Sequence, residues 1–242
     1  MNVVHLIMQV KIQTNFGKQE NRDVIINEIT LENVSPWQEG EALEKGFALY
    51  IEDGDEYWYM ARNTRVHLLR HTFQPIELEW EVVDEQPKVF KKILNDYLQH
   101  NKFSNIYAID EKNERFKYIV YKDKGKIVAI TKLLQYNNNV ETYAFIWDYK
   151  NPEMRLGEKT LEHELWWAKK EGYQCLYTGT GYEKSSIYKA NIPGFQWWTG
   201  MKWSNDTDKY IELCKRDSKV RSFKALSAVA ANPKEKPPHS DG

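Results

Sequence analysis

The chain of 242 residues contains only two cysteines, Cys175 and Cys214, and neither has a Cys or His nearby at metal-ligand spacing. A disulfide framework and a structural zinc are therefore not expected, no metal site is assigned, and a reducing intracellular setting is the default. No apolar run approaches the ~20 residues a membrane-spanning helix needs. The first ten residues have neither a basic leader nor a cleavage signal, so a cytoplasmic protein without a membrane partner is the expectation. Charge of one sign is also missing: 34 Lys and Arg against 35 Asp and Glu leave a formal charge of −1. Bulk charge therefore gives no support to nucleic-acid binding, and any RNA contact must come from a local basic patch. The sequence has no GxxxxGK[ST] loop, and it supports by itself neither a Ser–His–Asp arrangement nor a Cys–His pair, so covalent catalysis is not indicated. No internal repeat is evident.

Aromatic residues, by contrast, are abundant, with nine Trp and fifteen Tyr. Such a composition reads as a globular protein with cavities or sites to line. The length allows one large or two small domains with a core that needs no staples.

Hydrophobic patterning predicts strands over 2–12 and 22–32, a short helix over GEALEKG with a glycine stop, and a hairpin of 47–52 and 57–69 about the Gly54–Asp55 turn. Val89, Phe90, Ile93, Leu94, Tyr97 and Leu98 then share one face of a helix between residues 86 and 99. Three strands follow at 115–121, 126–136 and 140–147, joined by the tight turns LysAspLysGly and AsnAsnAsn. The expected division is a β-rich region over 1–84, a core over 85–224 and a disordered polar tail over 225–242. The basic cluster of Arg62, Arg65, His67, Arg70 and His71 is split by strand alternation between two surfaces.

Residues 140–191 carry the functional signal. A strand ending at Trp147 leads through Asp148 and a polar turn to Arg155, Leu156 and Gly157, where a helix begins that runs to Glu171 with Leu161, Leu165, Trp166 and Ala168 on one face. A second strand follows at 174–177. In such a crossover the first turn of the helix directs unsatisfied backbone N–H groups past the strand end, a ready site for an anionic group. Gly157 permits close approach, and Arg155 adds positive charge. Asp148 serves equally as a turn former before Pro152. Tyr177, Gly179 and Gly181 end the next strand, and Tyr182, Ser185 and Lys189 share a face of the helical segment that follows. His163, between Glu162 and Glu164, is expected on the exposed side. The TrpTrpThrGlyMetLysTrp run at 197–203 reads as core and hairpin before it reads as a base-stacking platform.

The stretch WDYKNPEMRLGEKTLEHELWWAKKEGYQCLYTGTGYEKSSIYKANIPGF resembles the arginyl and leucyl aminoacyl-tRNA–protein transferases, a branch of the GNAT acyltransferase superfamily. The matching residues are Asp148, Leu156 with Gly157, the 161–168 face, Tyr177 with Gly179, and Tyr188–Lys189 before Phe195. A weaker likeness continues over EALEKGFALYIEDGDEYWYMARNTRVHLLRHTFQP, so the resemblance spans roughly residues 40 to 200. It implies an α/β, GNAT-like fold with a mixed, largely antiparallel sheet flanked by helices. It also implies transfer of an aminoacyl group from aminoacyl-tRNA, as co-substrate and with no bound cofactor, to an amine of a peptide or protein.

On that reading Asp148, Tyr182 and Tyr188 handle protons or orient the amine. Trp147, Arg155, Leu156, Gly157, Tyr177, Gly179, Lys184, Ser185 and Lys189 hold the donor. Backbone N–H groups around 145–149 or 177–179 serve the oxyanion. Three departures stand out. Pro152 and Arg155 occupy positions where acetyl-CoA-binding relatives carry Arg or Gln and Gly, which disfavours the alternative of an acetyl-CoA-dependent N-acetyltransferase. The N-terminal cysteine cluster of the transferases is missing, and Ile187 replaces the methionine that usually precedes the tyrosine–lysine pair. A catalytically silent domain that binds a partner through its aromatic surface is a further alternative.

Overall fold

The computed structural model describes residues 8–19, 22–52, 54–61, 63–101, 113–150, 152–180 and 184–217. The expected 225–242 tail, Arg62, Gly181 and Tyr182 lie outside the described residues. Twelve strands are present among them: β1 (Gln9–Gln19), β2 (Arg22–Glu32), β3 (Phe47–Glu52), β4 (Asp55–Met60), β5 (Asn63–His67), β6 (Glu79–Val83), β7 (Phe116–Asp123), β8 (Lys126–Gln135), β9 (Asn139–Trp147), β10 (Cys175–Thr180), β11 (Phe195–Trp198) and β12 (Trp203–Ser204). The α-helices are α1 (Glu39–Glu44), α2 (Phe90–Asn101), α3 (Leu156–Lys170) and α4 (Thr207–Asp217), and a 3-10 segment covers Lys184–Asn191.

The strands form a four-stranded sheet, ordered β1-β2-β4-β3, and an eight-stranded sheet, ordered β12-β11-β5-β10-β9-β8-β7-β6. Every described neighbour pair is antiparallel except β9 with β10. The expectation of a mixed, largely antiparallel sheet flanked by helices is met. The expected strand over 57–69 is interrupted, however: β4 pairs with β3 in the small sheet, whereas β5 enters the large sheet between β10 and β11.

Both faces of the large sheet are covered, which is why its central strand β8 is buried along most of its length rather than alternating. On one face Leu156, Leu161, Leu165 and Ala168 of α3, with Tyr210 and Cys214 of α4, pack on Val140, Leu133 and Leu176. The other face meets Leu43 of α1, Phe47 and Leu49 of β3, and Phe90 and Leu94 of α2.

Crossover helix α3 ends in a Schellman motif: Tyr173 N–H bonds the Ala168 carbonyl at 3.0 Å and Gly172 N–H bonds that of Lys169 at 3.1 Å. Gly172 has φ of 88°, a left-handed conformation that only glycine adopts without cost. That turn delivers the chain directly into β10 beside β9.

Candidate functional site

β9 and β10 are held together over only three residue pairs, Cys175–Tyr177 against Asn139–Glu141. Beyond them each strand follows its other neighbour and each loses regular register. β9 carries an extra residue, Tyr143, opposite the Lys132–Leu133 step of β8, and β10 shifts against β5 between Tyr177 and Thr180. Bulges of this kind bend a strand and increase its twist. The two strands therefore splay, and a cleft of about 200 Å³ opens between them, lined by Thr142 and Phe145 of β9, Gly157 and Glu164 of α3, and Tyr188 and Lys189 of the 3-10 segment.

Glu164 forms the floor and is 1% exposed. Its Oε1 accepts the Thr131 hydroxyl at 2.6 Å and its Oε2 accepts the Thr142 hydroxyl at 2.7 Å. Burial pushes its carboxyl up to about 7, against the opposing effect of the two hydroxyls and the Lys189 charge. Tyr188 is pushed up to about 12, first by burial and then by the negative charge of Glu164 and Glu158, so it is a phenol and a donor at neutral pH. Lys189 Nζ donates to the Thr178 carbonyl. The other hydroxyls of the lining are engaged: Thr160 donates to the Leu156 carbonyl at 2.8 Å, and Thr178 bonds Thr64 at 2.7 Å.

Of the residues singled out in the sequence, the cleft brings together Gly157, Tyr188 and Lys189. A Cβ on Gly157 would meet nothing nearer than Phe145 Cε1 at 3.8 Å. Gly179, at φ 83°, ends β10 with its carbonyl bonded by Thr64 Oγ1 at 2.9 Å.

The structure sets the remaining residues elsewhere. Asp148 lines a separate cavity of about 310 Å³ with Trp147, between β9 and α2. Its carboxylate is paired with Lys126 at 2.8 Å, a bond that holds it below the usual carboxylate range, and it also accepts the Lys150 N–H at 3.2 Å. The Lys150 bond is the turn contact that the sequence allowed for Asp148. Its own N–H donates to the Val128 carbonyl at 2.8 Å, which removes that group as an oxyanion partner. Arg155 is 67% exposed, adopts a left-handed φ of 50°, and pairs with Glu158. Leu156 is buried in the core.

Tyr177 faces the opposite side of the sheet, where its hydroxyl meets Arg65 at 3.3 Å and burial raises its pKa. Lys184 and Ser185 are exposed on the 3-10 segment. Three residues per turn there align 185 with 188, not 185 with 189 as an α-helix would.

His163 is buried, contrary to the expected exposure. Its Nδ1 accepts the Ile76 N–H at 3.2 Å, the ring stacks on Trp166, and burial lowers its pKa to about 4. Glu164, the residue that sequence reasoning missed, falls three residues after Leu161 and four before Ala168, a carboxylate in the apolar stripe.

Among the described residues no group of three or more His, Cys, Asp and Glu is disposed to hold a metal ion, and no helix is long and apolar enough to cross a membrane.

No family model matches the chain, and no curated protein matches it. Among solved structures it is similar to the C-terminal domain (DUF2156) of a protein designated a lysylphosphatidylglycerol synthetase, from Agrobacterium fabrum, at 14% identity and a TM-score of 0.43. The match covers 64% of this chain and 55% of that one, so the chain spans about half the length of that structure.

Proposed function

We propose that the chain is an acyltransferase of GNAT type that moves an aminoacyl group from aminoacyl-tRNA to an amine of a peptide or protein. The reacting carbonyl would be held between β9 and β10. The observation that carries this reading is the parallel pair that opens after three residue pairs, with Gly157 at the start of the crossover helix on one side and Glu164 on the floor.

An aminoacyl ester is already activated, so catalysis reduces to holding the amine near the carbonyl, accepting its proton and stabilising the oxyanion. The cleft supplies parts for each. Backbone N–H groups at the splayed strand edges would serve the oxyanion, Tyr188 and Lys189 line the cleft as donors, and Glu164 as the titratable acceptor. Its volume is below the ~300–1,000 Å³ of sites that enclose a drug-sized ligand, which suits an ester and its attacking amine with the carrier outside.

Direct transfer is favoured over an acyl-enzyme. The lining threonine hydroxyls are committed to other partners, the Tyr188 phenol is pushed up to about 12 and keeps its proton, and the Cys175 thiol, on the other face, is pushed up to about 11 by burial.

The test is incubation with labelled charged-tRNA pools, or with labelled acetyl-CoA, and a peptide bearing a free α-amine. Label passing from tRNA to the peptide supports the proposal. Label passing only from acetyl-CoA makes the protein an N-acetyltransferase, and transfer from neither donor leaves the silent binding domain as the better account.

A further inference from the structure

A carboxylate on the sheet-facing side of α3 is costly unless its oxygens are satisfied. Two hydroxyls from two different strands do this for Glu164, one on each oxygen. A carboxylate has about four acceptor positions, so acceptor capacity remains, and the residue lines the cleft. The polar groups around it come from every packed element: Tyr121 of β7, Thr131 of β8, Thr142 of β9, and Tyr188 and Lys189 of the 3-10 segment. Its helix neighbour His163 is neutral and committed to Ile76 and the Trp80 and Trp166 rings. Lys189, held by the Thr178 carbonyl, supplies positive charge that favours the ionised form of Glu164. Glu164 thus keeps acceptor capacity at the cleft for a donor small enough to enter it.

We infer that Glu164 receives the acceptor amine as an ammonium ion and takes its proton before attack. The inference rests on the transfer reading above. One ammonium proton passes to Glu164. The freed lone pair forms the C–N bond to the ester carbonyl, the ester C–O bond breaks, and the leaving ribose oxygen takes up a second proton from the nitrogen. Glu164 then returns its proton to solvent. A carboxyl raised to about 7 is matched to this task. Peptide α-amines titrate at ~7.7–8.0, whereas a lysine side chain, at ~10.4, would give up its proton against a far larger difference.

Two measurements test it. The first is the titration of the Glu164 carboxyl by carbon-13 NMR, assigned with Glu164→Gln, in the presence of a peptide with a free α-amine or its N-acetylated form. The free amine is expected to move the titration to lower pH, and the acetylated peptide to leave it in place. The second is the pH dependence of single-turnover transfer. Glu164→Gln is expected to lower the rate by on the order of 100-fold and to abolish the rise near neutrality. Thr142→Val, which removes a hydroxyl that favours the ionised form, is expected to move that rise to higher pH, an effect a merely structural residue would not have.

A folded Glu164→Gln protein that transfers within tenfold of wild type, with an unchanged profile, overturns the inference while leaving the transfer reading intact. A wild-type carboxyl indifferent to the free amine overturns it as well, whether or not any variant folds. Absence of transfer by the unmutated protein with every donor defeats the transfer reading instead, and the titration still decides whether Glu164 recognises an amine.

Discussion

Thr142 and Glu164 meet hydroxyl to carboxylate across 2.7 Å, at the residue where β9 has just left its last pair with β10. This bond ties the splay of the strands to the middle of the crossover helix. Thr142 shares the α3-facing side of β9 with Val140 by plain alternation, and the strand bulges at Tyr143 immediately after it.

Gly157 separates fold from access. Its conformation is helical, and the 3.8 Å to Phe145 leaves room for a methyl, so Gly157→Ala should keep or raise stability, by up to ~1 kcal/mol through helix propensity. Gly157→Val adds two γ-methyls at the cleft and should abolish transfer with the melting temperature little changed. Thermal melts and single-turnover transfer on both variants check the pair.

Stability should carry the signature of three misplaced protons. Glu141 and Glu164 are raised by burial from 4.5 to about 7, so their contribution is fully present below pH 4.5 and is lost as the pH rises through 7. His163 is lowered from 6.5 to about 4, so its contribution is present above pH 6.5 and is lost as the pH falls to 4. Each group acts with a limiting slope of ~1.4 kcal/mol per pH unit. Urea unfolding across this range should show Glu141→Gln gaining on wild type as the pH rises. His163→Gln, which keeps an acceptor for Ile76, should gain as the pH falls.

Much of this architecture was legible in the sequence because its signals are local. The 3.6-residue apolar stripe of α3, the glycine at 172 and the β-rich run into Trp147 each specify their element without reference to the rest of the chain. What was not legible depends on long-range placement. Asp148 and Tyr177 look like site residues in a linear motif, yet strand alternation and the turn to Lys150 direct them to Lys126 and Arg65. His163 sits in a charged stretch but is buried because Trp80, from an unanticipated strand, packs on it at 4.7 Å between ring centroids. Glu164 had a readable signal, its place in the stripe, which the adjacent charges of Glu162 and Glu158 obscured.

Arg65 is expected to matter for stability and not for transfer. It is buried on the face opposite the cleft, paired with Glu44, bonded to Gln196 at 3.0 Å and to Tyr177, and stacked over Trp203 at 4.1 Å. Lysine cannot reproduce that planar fork. Glu44 is largely exposed and can regain water, so the loss for Arg65→Lys should be ~1–3 kcal/mol rather than that of a fully buried pair. Denaturant unfolding measures it, and transfer per folded molecule should be unchanged.

Both cysteines are buried, and Cys175, in contact with His67 at 3.3 Å, has its thiol pushed up to about 11. A thiol-reactive dye at neutral pH should label neither cysteine in the native protein and both in denaturant. Fast native labelling of one thiol would contradict the packing of that face.

Tyr188 and Asp148 give the sharpest contrast between motif and geometry. Both occupy matching positions in the sequence resemblance, but only Tyr188 lines the cleft, and its phenol, raised to about 12, keeps its proton at neutral pH. On the transfer reading proposed above, it would donate to the developing oxyanion or to the leaving oxygen. Tyr188→Phe removes that donor with little change in shape, and the expected loss is ~10²–10⁴-fold in single-turnover rate with donor affinity nearly unchanged. Asp148→Asn loses the Lys126 ion pair, which Lys126, being largely exposed, satisfies with water instead. The Lys150 turn bond survives through the amide oxygen, so transfer should stay within tenfold of wild type. If Asp148→Asn proves the more damaging substitution, the reacting centre lies at the α2 side of β9 and not between the splayed strands.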